Sequence, residues 1–207
     1  MIFHSGHIFV IAKRTYERAT LDQSEVMPAI VLATMGLECF VNETCERLSS
    51  EVLTQGQEVF HQAAYWLRML EAKRASTLEK ISGLTYAFTN HELTREAQPY
   101  QDLRFLYELR NVLVHRKPEG VGNWNPDDPA KKYEPHRYVK ALVERNIIEL
   151  PSPKAPPVWS QFVLIAETAK WAFNTSVAGV RHIVSLLPPG PFAHTTKVVT
   201  AILSPIP

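Results

Sequence analysis

The sequence is poor in cysteine and has almost no net charge. Cys39 and Cys45 are the two cysteines in 207 residues, and they fall in one predicted helix, too far apart for a disulfide. Lys and Arg number 22 against 21 Asp and Glu, which leaves a net charge of +1. That balance argues against a protein that coats duplex nucleic acid or an anionic membrane. We expect reduced, buried cysteines in an ordinary soluble globular protein.

A targeting or membrane-spanning segment is also missing from the pattern. The residues Met1 to His4 lack a basic region, and the apolar run Ile8–Ala12 is too short for a secretory signal. The longest apolar stretch, Val26–Val41, contains Pro28 and Glu38 and is shorter than a membrane span. We therefore expect a cytoplasmic protein that does not bind a membrane.

Proline is scarce in the first half of the chain and abundant in the second. Of 15 prolines, only Pro28 and Pro99 precede residue 118. The stretch Pro118–Pro135 contains four of them together with two glycines, a composition that predicts a loop. The tail from Pro188 is proline-rich as well, and we expect it to be irregular.

Helical periodicity dominates the remaining segments, and no strand pair or internal repeat is evident. Apolar residues recur at three- and four-residue steps between turn signals, and Ser24 and Ser76 are the predicted N-caps. The predicted helices cover 6–19, 25–49, 57–73, 77–88, 99–116, 137–148 and 159–187. The expected fold is an all-α antiparallel helical bundle with a proline-rich loop, one additional long C-terminal helix and an irregular tail. We expect a single helical domain over 1–187 and the tail over 188–207.

Aromatic residues and isolated motifs give little sign of a ligand. We expect the large aromatic side chains to lie in the core rather than to form base-stacking platforms; they are Tyr65, Trp66, Trp159, Trp171 and Phe173. His4 and His7 have no carboxylate or cysteine nearby that would complete a metal site. We therefore expect no metal and no cofactor.

The most informative segment is the predicted helix before Pro118. Projected at about 100° per residue, it has one apolar side and one polar stripe. The stripe consists of Arg104, Glu108, Asn111 and His115. Arg110 falls at the margin of the apolar side, where an arginine needs a carboxylate, a phosphate or a partner chain. An ordinary solvated surface with an Arg104–Glu108 pair is an equally good interpretation of the stripe.

The run Arg110-Asn111-Val112-Leu113-Val114-His115 resembles the signature of HEPN domains. In those helical bundles an arginine is followed by a polar residue and, about four to six residues after the arginine, by a histidine. The resemblance covers about residues 20–118, with a helical extension over 136–187. It includes a long helix whose Glu38, Asn42 and Glu43 suit the acidic or polar positions of the family. The chain from Pro118 onward resembles no known family.

The resemblance implies a mechanism, because many HEPN proteins are metal-independent ribonucleases in toxin–antitoxin, phage-defence or RNA-processing systems. His115 would be the general acid/base, since the pKa of an imidazole lies near neutral pH. Arg110 would bind the scissile phosphate, and Asn111 would orient the histidine or the phosphate. The RNA 2′-hydroxyl would attack the adjacent phosphate, leaving a cyclic phosphate and a 5′-hydroxyl.

Partners follow from the same resemblance. Arg110 and His115 lie about 140° apart on an ideal helix, so one helix does not aim both at one phosphate, and a homodimer would complete the site. RNA is the expected substrate, and an antitoxin or a nucleotidyltransferase is a possible cognate partner. Weaker substrate-binding candidates are Arg104, Glu108, Arg116 and Lys117. The alternative is a non-catalytic HEPN-like binding or scaffolding bundle, in which Arg110 and His115 are structural.

Overall fold

The computed structural model describes residues 4–48, 58–94, 96–115, 135–152, 158–187 and 203–207. Within these ranges eight α-helices and no strand are found, which confirms the all-α helical bundle. The helices are α1 (His4–Ala19), α2 (Val26–Leu48), α3 (Glu58–Ala72), α4 (Thr77–Thr89), α5 (Tyr100–Val114), α6 (Arg137–Glu144), α7 (Trp159–Val163) and α8 (Ala166–Leu186). Most of the predicted proline-rich loop and of the predicted tail lies outside the described residues.

The two predicted N-caps have different outcomes. Ser76 caps α4 as predicted: its hydroxyl accepts a hydrogen bond from the Glu79 N–H (3.3 Å), and the Glu79 carboxylate accepts one from the Ser76 N–H (2.6 Å). Ser24, in contrast, does not cap α2. It lies inside a short 3₁₀ turn, Gln23–Glu25, whose own cap is the side chain of Asp22. The turn displaces the start of α2 to Val26.

The long C-terminal helix is confirmed over Ala166–Leu186, but its predicted start at residue 159 is wrong, because the helix is interrupted between α7 and α8. Ile165 is extended, and the Leu164 carbonyl accepts a hydrogen bond from the Gln23 side-chain amide (2.9 Å). Apolar spacing continues across the break, so periodicity alone did not reveal it. Helix α6 is also shorter than predicted and ends at Glu144.

Helix α2 is the central element of the bundle and packs against α1 and α8. Two glycines allow this close approach: a Cβ on Gly36 would lie 3.0 Å from the Phe9 ring, and one on Gly179 would lie 3.1 Å from Leu37. The first core cluster includes residues from α1, α2, α3, α4, α5 and α8. The backbone of Ile206 also pairs with the Asn174 side chain, so residues 203–207 pack on the bundle although they are not helical.

The segment Gln23–Leu48 is long and apolar enough to cross a membrane, which the shorter stretch Val26–Val41 did not indicate. Its most apolar window has a mean hydropathy of 1.5, and half of that window is buried inside the bundle. A central core helix has the same composition, because it too is surrounded by apolar neighbours. The packing of α2 against α1 and α8 agrees with such a core helix.

A second core cluster joins α5 to the later helices. Phe105 packs against Tyr138 of α6 and Trp171 of α8, with ring centroids 6.1 and 5.5 Å away. Trp159 of α7 lies against Tyr138 at 5.4 Å. The C-terminal region therefore completes the core beneath α5, and it fixes which side of α5 is left exposed.

The aromatic prediction is right for the late helices and wrong for α3. Trp159, Trp171 and Phe173 are buried, whereas Tyr65 is 62% exposed and Trp66 43% exposed. Helix α3 buries its other side, formed by Phe60, Ala63, Ala64 and Leu67. Tyr65 and Trp66 follow Ala64 directly and point away from that side, so they lie on the surface.

The cysteines are more unequal than predicted. Cys45 is buried, whereas Cys39 is only partly buried. Burial raises the pKa of the Cys45 thiol to about 12 and that of the Cys39 thiol to about 11. Both thiols are therefore protonated at neutral pH, as expected of structural rather than reactive cysteines.

Candidate functional site

Helix α5 presents the predicted polar stripe to solvent. The exposed residues on it include Arg104, Glu108, Asn111 and His115. The opposite side is buried through Leu103, Phe105, Leu106, Leu109 and Leu113. The buried side packs on α2, α8 and the second core cluster, and this packing sets the direction in which the stripe faces.

The helix ends one residue before the candidate histidine. Val114 is the last helical residue, and His115 occupies the C-cap, where its N–H donates to the Asn111 carbonyl (3.0 Å). The imidazole of His115 is exposed at this end of the helix. Arg116 and Lys117 lie outside the described residues, as does the chain from there to residue 134.

Arg110 lies at the boundary between the two sides of α5. It is half-buried, and its Nη1 donates a hydrogen bond to the Asn111 Oδ1 (2.9 Å). Its Nε is buried and has no hydrogen-bond partner among the residues that the structure describes. Asn111 therefore orients the guanidinium from the neighbouring position while leaving other donors unused.

Glu38 of α2 is near enough to Arg110 for the two charges to act on each other, although the described residues include no ion pair between them within 4.0 Å. Partial burial raises the pKa of Glu38, and the nearby positive charge of Arg110 offsets part of that rise. Glu38 was among three polar residues of α2 that suited the family pattern. The other two have structural contacts: Asn42 accepts from the Lys80 ammonium (2.9 Å), and Glu43 accepts from the Ser5 hydroxyl (2.6 Å). Only Glu38 is thus associated with Arg110.

Tyr107 of α5 is a third residue at this contact between α2 and α5, and the sequence did not single it out. Burial raises the pKa of its phenol, and the negative charge of Glu38 raises it further. Tyr107 lies one turn before Arg110, and this three-residue spacing was the signal available in the sequence. Glu38, Tyr107 and Arg110 together form the α2–α5 junction.

Two weaker candidates behave as an ordinary surface pair. The Arg104 Nε and the Glu108 Oε1 lie 3.4 Å apart, and both side chains are about half exposed. This agrees with the solvated interpretation of the stripe, and neither residue enters the α2–α5 junction. Within the described ranges no group of three or more histidine, cysteine or acidic side chains is placed to hold a metal ion.

Comparison of the chain with protein-family models, with curated proteins and with solved structures found no match. The site offers an exposed imidazole, a side-chain amide and a guanidinium with unused donors, all within six consecutive residues at one end of α5. These groups suit the binding of a phosphate and the transfer of a proton beside it.

Proposed function

We propose that the chain is a metal-independent endoribonuclease of HEPN type. The observation that supports this is the state of Arg110, whose half-buried guanidinium is oriented by a hydrogen bond from Nη1 to Asn111 and keeps further N–H donors without a described partner. A phosphodiester can accept hydrogen bonds from the donors on the accessible side of that guanidinium. The helix that carries Arg110 ends at an exposed His115, whose imidazole reaches solvent and hence a substrate.

The reaction is an internal transesterification of RNA. His115 accepts the proton of a 2′-hydroxyl while the oxygen forms a bond to the adjacent phosphorus. The bond from phosphorus to the 5′-oxygen breaks, and a protonated histidine donates a proton to the leaving oxygen. Arg110 stabilises the negative charge that increases on the phosphate in the transition state. The products are a 2′,3′-cyclic phosphate and a 5′-hydroxyl, so the chemistry requires no redox partner.

The active form in this proposal is a homodimer. Arg110 lies toward α2, whereas His115 is on the exposed end of α5. One helix therefore supplies the phosphate-binding group and the proton-transfer group on different sides, and a second copy across a two-fold axis would complete each site. Such an enzyme would be cytoplasmic and would act in toxin–antitoxin or phage-defence systems, with an antitoxin or a nucleotidyltransferase as its cognate partner.

The test compares the wild type with His115→Ala, Arg110→Ala and Arg104→Ala on total RNA in the presence of EDTA. We expect the wild type to cleave and His115→Ala to lose about 10²–10⁴-fold in rate. Arg104→Ala removes a weaker substrate-binding candidate from the same helix while leaving Arg110 and His115 in place, and we expect it to slow cleavage less than either of the other two variants. Absence of cleavage by the wild type, or equal cleavage by all variants, contradicts the proposal.

One observation favours a second candidate, a non-catalytic binding or scaffolding bundle. The interaction between Arg110 and Glu38 is also what a structural arginine would make, since it compensates a partly buried carboxylate. In that case RNA would remain intact with the wild type, and Arg110→Ala would lower stability while His115→Ala would have no effect. Size-exclusion chromatography with light scattering, performed on the same variants, tests the dimer separately.

A further inference from the structure

A cleft opens between α3 and α4, away from the α2–α5 junction. Its volume is about 510 Å³, within the range of small-molecule sites. Trp66 and Leu70 come from α3, Tyr86 from α4, Leu93 from the segment after α4, and Tyr100 from the start of α5. These apolar and aromatic residues form the walls of the cleft.

Two of the aromatic rings are set at right angles to each other at the surface. The centroids of Trp66 and Tyr86 are 6.3 Å apart with an interplanar angle of 86°. The two residues are 43% and 42% exposed, although residues of their size are commonly buried. Each ring has a negative electrostatic face, and the face of an exposed ring attracts cations.

The floor of the cleft depends on Gly83. A Cβ at that position would come within 2.5 Å of the Leu70 Cδ1, so a side chain there would displace Leu70. The absence of a side chain at Gly83 leaves room for the Leu70 side chain, and both residues line the cleft together with Trp66 and Tyr86.

The charged residues that line the cleft in the described part of the chain are all of one sign. Glu79 and Glu92 line it, and among its described lining residues there is no lysine, arginine or histidine. Glu79 is held in place by the capping box of α4, where its Oε2 accepts from the backbone and the hydroxyl of Ser76. Carboxylates and aromatic rings that line one cleft complement a positive charge and disfavour an anion.

We propose that this cleft binds a small organic cation that carries an alkylated ammonium group. Its positive charge would lie over the faces of Trp66 and Tyr86 and near the carboxylates of Glu79 and Glu92. Its alkyl groups would contact Leu70 and Leu93. The site is separate from the proposed ribonuclease centre, since Tyr100 and Arg110 lie about 15 Å apart along α5. Its occupancy therefore does not depend on RNA cleavage.

Calorimetric titration of the full chain with choline tests the proposal, with 3,3-dimethylbutan-1-ol as the control ligand. The alcohol has the same shape but no charge. We expect choline to bind at least about tenfold more tightly, because cation–π and carboxylate contacts require the charge. Failure of choline to bind, or equal binding of the neutral alcohol, overturns the proposal. Binding of a trimethyllysine peptide without binding of choline also overturns it, in favour of a protein partner.

Variants locate the binding in the cleft. Trp66→Leu and Glu92→Gln remove a ring and a charge, and we expect each to weaken choline binding about three- to tenfold or more. Tyr65→Leu is the matched control, because Tyr65 is an exposed aromatic residue that adjoins Trp66 without lining the cleft. Far-UV circular dichroism checks that each variant is folded. Unchanged choline affinity in folded Trp66→Leu and Glu92→Gln contradicts the assignment.

Discussion

The two sides of helix α5 differ in what they contribute to the protein. The buried side carries Leu103, Leu106 and Leu109, all fully buried: Leu103 in the first core cluster, and Leu106 and Leu109 in the second. The exposed side carries the polar stripe that ends at His115. Packing free energy is concentrated on the first side, and the groups available for chemistry are concentrated on the second. One side of the helix therefore stabilises the fold, and substitutions on the other side should change the free energy of unfolding little.

Two arginines of α5 show the same difference within one residue type. Arg104 pairs with Glu108 on the surface, where solvent screens the charges. Arg110 lies at the boundary, near the partly buried Glu38, where screening is weaker. Identical side chains on one helix therefore differ in energy because their surroundings differ in hydration.

The largest effect is expected on the buried side. Leu106→Ala leaves a cavity in a position with no exposed surface, and we expect a loss of about 2–5 kcal/mol in the free energy of unfolding. Urea denaturation followed by circular dichroism measures it. Gln101→Ala, on the exposed side of the same helix, is the control and should change stability by less than about 0.5 kcal/mol. A similar loss in both variants would contradict the division of α5 into two sides.

The sequence predicted these two sides of α5 because the information is local. Leucines three and four residues apart must share one side of a helix, and the polar residues between them must face outward. The same locality explains the confirmed capping box of Ser76 and Glu79, which lie three residues apart. Ser24 has the right chemistry for a cap, but Asp22 competes for the same role two residues earlier and starts a 3₁₀ turn.

Features that depend on distant residues were not predictable in this way. The position of Arg110 called for a carboxylate, a phosphate or a partner chain, and nothing in the spacing identified Glu38 of α2 as a charge that acts on it. The break at Ile165 has no glycine or proline, and the hydrogen bond beside it comes from the distant Gln23, whose amide donates to the Leu164 carbonyl. Trp66 was expected in the core because it is hydrophobic. Its exposure depends instead on which side of α3 packs against the bundle, and Trp66 lies off that side.

The boundary between the two sides predicts a smaller effect than the core. Arg110→Ala removes a positive charge near Glu38 and the exposed hydrogen bond to Asn111, and we expect a loss of about 0.5–1.5 kcal/mol in the free energy of unfolding. Thermal or urea unfolding at low and high salt measures it. A weak salt dependence is expected, because partly buried charges are screened less than exposed ones. A stability equal to that of the wild type would mean that Arg110 behaves like a surface residue.

Glu38 makes the same boundary sensitive to pH. Its pKa is raised above the ordinary 4.5 in the folded protein, so the folded state binds the proton more tightly than the unfolded state. The stability contributed by Glu38 is therefore fully present below its unfolded pKa and is lost as the pH rises through its folded pKa. We expect the wild type, relative to Glu38→Gln, to be more stable at acidic pH than at neutral pH. A difference in unfolding free energy that does not vary with pH would contradict this.

The smallest effect is expected on the exposed side, from Arg104→Ala. The Arg104–Glu108 pair is an exposed pair at i,i+4, and such pairs contribute about 0.3–0.5 kcal/mol. A double-mutant cycle with Glu108→Ala isolates that coupling, and added salt should reduce it further. A coupling well above about 1 kcal/mol would mean that the exposed side also holds the fold, since surface pairs do not reach that value. In that event residues of the polar stripe would also stabilise the fold, and substitutions on the side that carries His115 would lower the free energy of unfolding.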